Sequence, residues 1–510
     1  MAKICVPVCV RHSDEMRDAI AAAVRVADIV ELRADCLVDP QATVAFLHER
    51  AHAIGRPLIV TMRSPEQGGR AEIDYEARRR FWSSLKNLPA DSLIDLEFDL
   101  VNEYSTRESS GDMPVDWGRV ICSHHDFTRV PDDLEKIFER MAATAAGIIK
   151  IAVQADDATD CLPIFKLLER AQVEGREMIA IAMGDAGVMT RILGPSRGSF
   201  LTYGSLEEER GTAPGQLATT DLREVFRIDH IDLDTRVFGI MGQPVRHSLS
   251  PRIHNAAYAA SGINAVYIPF AVQDALQFIR RMAHPKTREL DWKLDGLSIT
   301  APHKSIVMQA LDWIDTTARE IGAVNTIVAQ DDQLRGYNTD AAAFIAPLRN
   351  RLGPLRKVRC AVIGAGGAAR ACSWALSEQG ADVTILARDI NKGESLADRF
   401  GVKYRELSGG AYGDFEVVVN ATPLGMRGEL ENATPAIAGQ LRGVRLAYDL
   451  VYNPIETRFI REARAAGCDV LSGIEMLLAQ AVEQFNLWTG GKTDIEVMRA
   501  AAMRALSSQT

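Results

Sequence analysis

A lysine inside an apolar run is the residue of this sequence most suited to covalent chemistry. Lys150 lies in the run 148–153, which is typical of a buried strand. A buried lysine beside other cations favours its neutral form, which is a nucleophile towards a ketone. His125, at the end of an earlier run, could move the protons that such a reaction requires. The alternative is a structural ion pair of Lys150 with Glu31 or Glu97.

Charged residues also stand at the ends of other apolar runs. Glu31 and Arg33 end the second run, Arg63 follows the third, and Arg191 comes after the seventh. Guanidinium groups bind anions through paired hydrogen bonds. Three arginines at one rim therefore predict an anionic substrate for the first half.

The second half contains a lysine and an aspartate that could act on a carbonyl group. Lys304 follows an apolar run, and Asp340 ends the segment Gly-Tyr-Asn-Thr-Asp. At loop ends on either side of a cleft, the pair could relay a proton to a carbonyl that is being reduced. A solvated surface salt bridge is the alternative. Ser250 is predicted to cap the helix 252–260, whereas Ser248 caps nothing obvious.

The segment 362–370 has the pattern of a strand, a tight turn and a helix. Gly364 and Gly366 allow the backbone to turn sharply and approach a pyrophosphate, and Ala369 keeps the new helix close to its strand. The N–H groups at the helix N-terminus favour an anion. The segment predicts a dinucleotide site, with a tight turn that binds no ligand as the alternative.

The end of the next strand predicts the type of cofactor. Arg388 and Asp389 follow the run 382–387. An arginine here accommodates the 2′-phosphate of NADP, whereas an acidic residue binds the 2′-hydroxyl of NAD. Successive side chains leaving a strand point opposite ways, so we expect Arg388 to face the cofactor and Asp389 the solvent. NADP is expected, and NAD is the less favoured alternative.

Eight β-rich runs alternate with helical patterns in the first half, so the predicted fold class is α/β. Eight consecutive βα units without a glycine fingerprint favour a (β/α)8 barrel over an open doubly wound sheet. Chemistry in such a barrel collects at the carboxyl ends of its strands, where the charged residues above stand. The predicted strands are residues 4–10, 28–32, 57–62, 92–98, 119–123, 148–153, 177–183 and 200–203.

Composition excludes several classes of partner. A net charge of −10 argues against nucleic acid or an anionic membrane surface, and no apolar run is long enough to span a membrane. The 8 cysteines include no C-x-x-C pair, so we expect neither disulfide staples nor a metal site. With no signal-peptide pattern, the expected location is cytoplasmic. The connector 228–236 lacks a Gly/Ser run, so the two halves are expected to touch.

Five separated motifs of the first half resemble, in order, those of type I 3-dehydroquinate dehydratase: residues 30–35, 61–64, 123–127, 150–152 and 212–216. By this resemblance, Lys150 forms an imine with the substrate ketone. His125 would abstract the α-proton and later protonate the departing hydroxyl. The resemblance implies that the substrate carboxylate and hydroxyls are held by Glu31, Arg33, Arg63, Arg191, Thr212 and Gln216.

Two positions depart from that family. Gln67 stands where the family usually has a glutamate, and His125 would be less basic without this carboxylate unless Glu66 replaces it. Thr212 replaces the usual serine but keeps the hydroxyl, so we expect a mild effect.

Seven motifs of the second half are found at residues 242–251, 300–304, 322–326, 336–340, 420–426, 448–454 and 473–481. Together they resemble shikimate dehydrogenase over about residues 235 to 505, with Ser298 in place of the usual asparagine. By this resemblance, Lys304 and Asp340 are the catalytic pair. The implied substrate ligands are Ser248, Ser250, Thr300, Asn325, Tyr452 and Gln480. The implied cofactor ligands are Gly364, Ala365, Gly366, Gly367, Ala368, Arg388, Thr422 and Gly473.

The two resemblances predict consecutive reactions: dehydration of 3-dehydroquinate to 3-dehydroshikimate, then NADPH-dependent reduction to shikimate. Two alternatives stay open. The second half could be a quinate dehydrogenase, because one added hydroxyl near Ser298 could change the preference, or the chain could be a metabolite-sensing regulator without turnover. Retention of all four catalytic residues argues against the regulator, and the oligomeric state is open. The predicted domains are a barrel at 1–228, a substrate-binding domain at 235–340 completed by 481–510, and a Rossmann-like NADP-binding domain at 345–480.

Overall fold

The structure is a computed structural model that describes residues 2–86, 88–106, 116–207 and 211–507. Within these ranges the chain forms a parallel barrel sheet followed by two six-stranded sheets, the second of them Rossmann-like, so the expected α/β class is confirmed. No helix in the same ranges is long and apolar enough to cross a membrane.

The first sheet closes into the expected (β/α)8 barrel. Neighbouring strands pair in parallel in chain order, and the eighth strand returns to the first. A bridge between Met178 and Ser199, with the N–H of Phe200 donating to the Met178 carbonyl at 2.7 Å, closes the ring. The strands are β1 (Ile4–Val8), β2 (Ile29–Arg33), β3 (Leu58–Thr61), β4 (Leu93–Glu97), β5 (Val120–Asp126), β6 (Ile148–Gln154), β7 (Glu177–Met183), β8 (Thr202–Ser205) and the short β9 (Leu217–Ala218).

Helices cover the outside of the barrel, and several of them bury an apolar face. The clearest stripe has buried residues at Leu134, Ile137, Phe138 and Met141, the spacing of one helix face. After the last strand of the barrel sheet, residues Asp221–Val225 form a short π-helical turn. The barrel helices are α1 (Met16–Val26), α2 (Gln41–Arg50), α3 (Tyr75–Ser84), α4 (Phe98–Thr106), α5 (Leu134–Ala142), α6 (Leu162–Val173) and α7 (Val188–Leu193).

One disulfide contradicts the expectation that the cysteines form no disulfide bonds. Cys9, directly after β1, is bonded to Cys36, which follows β2. The sequence separation of 27 residues concealed the pair, because only adjacency in the barrel brings the two strand ends together. The other six cysteines are free and buried.

The second sheet mixes parallel and antiparallel strands. Its first three strands pair in parallel, and a hairpin then adds antiparallel strands. The expected capping by Ser250 is wrong: Leu249 is the N-cap, and Ser248 Oγ accepts the N–H of Ser250 at 3.2 Å. The elements are β10 (Arg236–Gly242), α8 (Ser250–Ala260), β11 (Ala265–Ala271), α9 (Ala275–Phe278), β12 (Leu294–Ile299), β13 (Trp313–Ile314), α10 (Thr316–Ile321), β14 (Thr326–Gln330) and β15 (Gln333–Tyr337).

The third sheet is all parallel and has the strand order 3-2-1-4-5-6 of a Rossmann domain when its strands are counted from the first. Its elements are α11 (Asp340–Leu352), β16 (Arg359–Ile363), α12 (Gly367–Glu378), β17 (Asp382–Ala387), α13 (Ile390–Phe400), β18 (Lys403–Glu406), β19 (Val417–Asn420), β20 (Leu446–Asp449), α14 (Arg458–Ala465), β21 (Asp469–Leu471), α15 (Gly473–Thr489) and α16 (Ile495–Ser507).

Helix α15 joins the second and third sheets. It begins directly after β21, and its last turns lie against the second sheet, where Trp488 Nε1 donates to the Ile327 carbonyl at 2.9 Å. Helix α16 packs against α8. The C-terminal helices therefore contact the second sheet, and the boundary placed at 480/481 falls inside a helix.

The two halves of the chain are in contact, as the short connector led us to expect. Arg252 pairs with Asp221 at 2.7 Å, and the backbone N–H of Gln273 donates to Asp157 at 2.6 Å. These bonds join the second sheet to loops at the carboxyl ends of barrel strands.

Candidate active sites

Lys150 extends from β6 into the barrel and is 5% exposed. Its Nζ donates to Asp95 Oδ2 at 2.8 Å and to the Tyr203 hydroxyl at 2.9 Å, and lies 3.8 Å from Glu31 Oε1. The partners considered from the sequence were Glu31 and Glu97, so the closer partner, Asp95, was missed. The Leu-Ile-Asp-Leu-Glu alternation of β4 carried the signal, because residues two apart on a strand share a face.

Asp95 is shared by two cations. Its carboxylate also accepts from Arg63 at 2.8 Å and from the Ser123 hydroxyl at 2.6 Å. Burial alone would raise the pKa of Asp95, but Arg63 and Lys150 hold it below its ordinary value. Asp95 therefore stays ionised and fixes the position of the lysine Nζ.

Two of the three arginines expected to bind an anion already have carboxylate partners. Arg33 donates to both oxygens of Asp35 at 2.9 and 2.8 Å, and Arg63 pairs as described above. Arg191 differs: it is 1% exposed, its Nη2 donates to the Pro214 carbonyl at 3.2 Å, and its Nε has no partner among the described residues. Burial lowers the pKa of Arg191 to about 10. A buried guanidinium in this state is suited to a substrate anion.

His125 ends β5, with its ring held by Gln67. The backbone N–H of His125 donates to Gln67 Oε1 at 3.0 Å, and Nδ1 lies 3.3 Å from the same oxygen. Because the backbone donor identifies that atom as the amide oxygen, Nδ1 must carry the hydrogen, which leaves the lone pair on Nε2. Burial, Arg63 and Lys150 hold the pKa of His125 well below its ordinary value. The neutral ring can therefore accept a proton at Nε2.

Glu66 lies apart from the histidine. It is exposed, and hydrogen bonds from its own backbone N–H and from the Ser64 side chain lower its pKa. The role considered for Glu66 therefore gains no support, and Gln67 is the residue that contacts His125.

The loop that carries Thr212 and Gln216 completes the cavity. Gln216 Oε1 accepts the Thr212 N–H at 2.7 Å and its hydroxyl at 3.3 Å. All eight residues predicted to act in the first half line this cavity. Its lining is Glu31, Arg33, Arg63, Gln67, Gly68, His125, Phe127, Lys150, Ala152, Ile181, Met183, Arg191, Tyr203, Thr212, Ala213 and Gln216.

The second half brings Lys304 and Asp340 into direct contact. Lys304 Nζ donates to Asp340 Oδ2 at 2.5 Å, and Asn325 Nδ2 donates to the other oxygen at 2.8 Å. Their side chains are 17% and 7% exposed, which excludes a solvated surface salt bridge. Because both carboxylate oxygens are held, the lysine has a fixed direction.

The predicted substrate ligands lie in several loops around this pair. Burial raises the pKa of Tyr452, and the nearby Ser248 side chain partly opposes this rise. Ser250 opens α8 and is buried, and Thr300 follows β12 and is half-buried. Gln480 is half-buried, and its Nε2 donates to a carbonyl of its own helix at 2.9 Å.

Sequence reasoning singled out Ser298 but missed its two buried partners, Tyr267 and Gln484. The Tyr267 hydroxyl donates to Ser298 Oγ at 2.7 Å, and Ser298 Oγ donates to Gln484 Oε1 at 2.8 Å. Ser298 and Gln484 are 186 positions apart, so no local pattern identifies the contact.

The turn between β16 and α12 has the form that a pyrophosphate requires. Gly364 has φ of 122°, which residues with a Cβ rarely adopt. Helix α12 begins after Gly366 without a side-chain cap among the described residues, so backbone N–H groups at its start are suited to an anion. Ala369 is fully buried and holds the helix to its strand. A dinucleotide fits this turn, where Gly364, Ala365, Gly366, Gly367 and Ala368 would hold it.

This turn adjoins the Lys304–Asp340 pair. A Cβ added at Gly367 would lie 3.0 Å from Lys304 Cδ. Of the other predicted cofactor residues, Thr422 donates its hydroxyl to Asn420 at 2.6 Å, and Gly473 opens α15 where a Cβ would come within 2.3 Å of a carbonyl oxygen. The nucleotide turn and the candidate acid–base pair are therefore parts of one site.

Arg388 and Asp389 have separate roles. Both are exposed, and the Asp389 carboxylate caps α13 by accepting the Lys392 N–H at 3.0 Å. It also pairs with Lys392 Nζ at 3.3 Å. Asp389 was expected to face the solvent, and its carboxylate is held by its own helix. Arg388 is therefore the better placed of the two for a phosphate.

A second cavity lies between the two halves. Asp185 and Gln216 line it from the barrel side, and Arg246 and Ser248 line it from the other. Arg246 pairs with Asp185 across it at 3.2 Å. Gln216 also lines the barrel cavity, so this second cavity adjoins the cavity of Lys150.

The two sites support different chemistries. The barrel site pairs a buried lysine with a neutral histidine, the combination of an imine-forming lyase. The second site sets a proton-donating pair beside a dinucleotide turn, the combination of a nicotinamide-dependent oxidoreductase. The fold and the sites therefore define a bifunctional enzyme.

Comparison with known proteins identifies both parts. A model of type I 3-dehydroquinase matches residues 4–233, one of the shikimate dehydrogenase substrate binding domain matches residues 240–327, and one of the shikimate 5'-dehydrogenase C-terminal domain matches residues 473–503. The chain is 34% identical to the bifunctional 3-dehydroquinate dehydratase/shikimate dehydrogenase, chloroplastic, of Arabidopsis thaliana, over 96% of this chain and 82% of the plant protein.

The second half also resembles separate dehydrogenases. The shikimate dehydrogenase (NADP(+)) of Methanopyrus kandleri is 38% identical over 54% of this chain and 98% of its own. A crystal structure of shikimate dehydrogenase in complex with NADP+ matches with a TM-score of 0.50 and 34% identity, over 54% of this chain and 97% of that chain. The chain belongs to the family of bifunctional 3-dehydroquinate dehydratase/shikimate dehydrogenases, enzymes of the shikimate pathway whose second activity uses NADP.

Proposed function

We propose that the barrel dehydrates 3-dehydroquinate through an imine on Lys150. The Nζ attacks the ketone, water leaves, and the imine acidifies the adjacent carbon. His125 Nε2 removes the α-proton from that carbon and then gives it to the departing hydroxyl, which leaves as water. Hydrolysis of the new imine releases 3-dehydroshikimate and restores the lysine.

The observation that carries this proposal is the buried guanidinium of Arg191 in the cavity of Lys150. It would bind the substrate carboxylate, since its Nε lacks a protein partner among the described residues. Glu31, Thr212 and Gln216 would bind hydroxyl groups. Arg33 and Arg63, held by their own carboxylates, would set the positive potential of the cavity and donate where a substrate oxygen reaches them.

We propose that the second half reduces the ketone of 3-dehydroshikimate. NADPH, when bound at the glycine turn, supplies the hydride. Lys304 gives a proton to the developing alkoxide, and Asp340 holds the lysine and receives the returning proton from solvent. The direct approach of Gly367 to Lys304 supports this assignment. The substrate would be held by Ser248, Ser250 and Tyr452 at its carboxylate, and by Thr300, Asn325 and Gln480 at its hydroxyls.

One assay tests both reactions. With 3-dehydroquinate and NADPH supplied together, absorbance of the new conjugated double bond reports dehydration, and oxidation of NADPH reports reduction. Both signals should appear, in that order. Turnover of quinate in preference to shikimate in the reverse direction would assign the second half as a quinate dehydrogenase, and tight binding without turnover would assign a regulator.

We also propose a cytoplasmic location and the domain limits 1–228, 235–340 with 481–510, and 345–480. Six free cysteines suit a reducing compartment, whereas the Cys9–Cys36 bond does not. Thiol labelling of denatured protein taken directly from cells measures whether this pair is reduced there. Limited proteolysis tests the domain limits, and cleavage near residues 228–236 should leave the dehydratase active.

A further inference from the structure

A chain of buried hydrogen bonds begins behind the dehydrogenase site. The Tyr267 hydroxyl on β11 donates to Ser298 Oγ on β12 at 2.7 Å, and Ser298 Oγ donates to Gln484 Oε1 on α15 at 2.8 Å. The three residues are 0%, 6% and 1% exposed. The chain therefore joins two strands to the C-terminal helix without contact with bulk water.

The same chain continues to the acid–base pair. Gln484 Nε2 donates to Thr326 Oγ1 at 3.0 Å, and Thr326 Oγ1 donates to Asn325 Oδ1 at 2.9 Å. Asn325 Nδ2 then donates to Asp340 Oδ1 at 2.8 Å, and the other oxygen of Asp340 holds Lys304. Every group donates to the next, so the chain has one direction from the tyrosine to the carboxylate.

Gln484 sets that direction in the middle of the chain. An amide carries its acceptor and its donors on different atoms, and here the oxygen faces Ser298 while the nitrogen faces Thr326. Because Thr326 Oγ1 accepts from the amide, its own hydrogen points at Asn325 Oδ1, and the nitrogen of Asn325 is left to face Asp340. The N–H of Thr339 also donates to Asn325 Oδ1, at 2.8 Å, so Gln484 acts with this backbone bond from the opposite side.

We propose that Gln484 is a positioning residue of the dehydrogenase reaction. By holding Thr326 and Asn325, it keeps Asp340 in the orientation in which Lys304 faces the substrate carbonyl. This inference rests on the proposed reduction of 3-dehydroshikimate and adds a residue that acts through Asn325. Buried polar networks of this kind fix one arrangement of the groups they hold, because an unpaired member would be costly.

The amide of Gln484 also donates from Nε2 to the Asn325 carbonyl at 3.4 Å. The first test removes all three hydrogen bonds of this amide and keeps the volume of the side chain. Gln484→Met should lower kcat for reduction of 3-dehydroshikimate about tenfold, with KM changed less than threefold, because a displaced acid–base pair slows chemistry more than it weakens binding. The dehydratase rate of the same chain serves as the control for folding. Glu483→Met, an exposed position on the same helix, is the matched control and should retain the wild-type kcat. A Gln484→Met variant with the wild-type kcat overturns the proposal.

A second variant separates positioning from packing. A protonated glutamate at position 484 can accept from Ser298 and donate to Thr326 as the amide does, but a carboxylate cannot donate. Burial favours the neutral form, so Gln484→Glu should approach wild-type kcat at acid pH and lose it as pH rises and the side chain ionises. A loss of kcat that is the same at every pH would overturn the proposal in favour of a packing role.

The ionisable neighbours do not reverse this expectation. His254 of α8 lies beside the amide, and burial lowers its pKa to about 3, so it stays neutral through the assay range. Tyr267 of β11 also stays neutral, because burial raises its pKa above the ordinary value. Beyond Asn325, Asp340 and Lys304 are present in both proteins, so the ratio of the variant rate to the wild-type rate at each pH removes their contribution.

A double-mutant cycle completes the test. Thr326→Val breaks the chain at the next member, so its loss of kcat and that of Gln484→Met should be non-additive, with the double variant no slower than the slower single. Additive losses would show separate effects and overturn the proposal. A wild-type protein that does not reduce 3-dehydroshikimate would remove the proposed function itself, whereas an active wild type with unaffected Gln484 variants removes only the role of Gln484.

Discussion

Replacing Gln67 by glutamate should make His125 a stronger base. It should also raise the pH below which the dehydratase loses activity. In the wild type, burial, Arg63 and Lys150 keep the pKa of His125 well below its ordinary value, and the neutral amide of Gln67 does not oppose them. A carboxylate at the same place would favour the imidazolium. The Gln67→Glu variant should therefore have a raised pKa at His125.

The size of this effect follows from the contact distance. Two unit charges 3.3 Å apart attract by roughly 5 kcal/mol at an effective dielectric constant of about 20, and desolvation of the new carboxylate removes part of this. One nearby opposite charge typically moves a pKa by about 1–3 pH units, or roughly 1.4–4 kcal/mol. If proton abstraction limits the rate, a Brønsted coefficient of about one half converts this into a rate gain of roughly 3- to 30-fold.

The sign of the pH dependence is fixed by the same argument. A base with a raised pKa becomes protonated at higher pH, so the acid limb of the dehydratase kcat/KM profile should move up by about 1–3 pH units in Gln67→Glu. Above that limb the variant should be faster than the wild type. The profile is measured by formation of the conjugated double bond, and the dehydrogenase rate of the same chain normalises for folded protein.

Glu66→Gln is the matched control. It changes one adjacent, exposed carboxylate that has no described contact with His125, and it should leave the profile unchanged. Superimposable rates and profiles for wild type and Gln67→Glu would refute the coupling of position 67 to the histidine. A shift of the pH profile in Glu66→Gln, and not in Gln67→Glu, would show that Glu66 supports the basicity of His125.

Four further substitutions test the assigned roles. Lys150→Ala should abolish dehydration but not reduction of supplied 3-dehydroshikimate, and an adduct still trapped by borohydride in this variant would identify another nucleophile. Lys304→Ala and Asp340→Asn should each lower hydride transfer by about 10²–10⁴-fold while dehydration survives, and strictly additive losses would assign the two residues separate roles. Arg388→Ala should weaken NADPH use more than tenfold, since a charge-assisted phosphate contact contributes about 1.5–3 kcal/mol; an equal loss with NADH would refute its contact with the 2′-phosphate.

The sequence singled out the candidate reacting residues of the barrel, which line one cavity, but not the groups that hold them. Lys150 and His125 were recognisable because a charged side chain in or after an apolar strand has few explanations besides chemistry. Arg63 is held by Asp95, whereas Arg191 Nε has no hydrogen-bond partner within the described ranges, and this difference depends on which side chains meet inside the closed barrel. The spacing of residues along the chain does not predict which of these side chains pair.

Long-range contacts limited the prediction for the second half in the same way. The glycine turn at 364–367 was predicted in detail because its residues are consecutive and each has a local backbone reason. The prediction that Ser250 caps α8 was wrong, because Ser248 accepts the N–H of Ser250 instead. Serine is favoured at helix N-caps, so residue type alone did not distinguish Ser248 from Ser250.

The residues that were missed share one physical property: they satisfy hydrogen bonds of buried groups that come from distant parts of the chain. Asp95 balances Lys150, and Gln484 closes the gap between Ser298 and Thr326. A buried donor or acceptor must find a partner wherever the fold supplies one. Residues that perform chemistry are therefore predictable from type and strand end, whereas residues that position them become visible when the sheets and α15 are assembled.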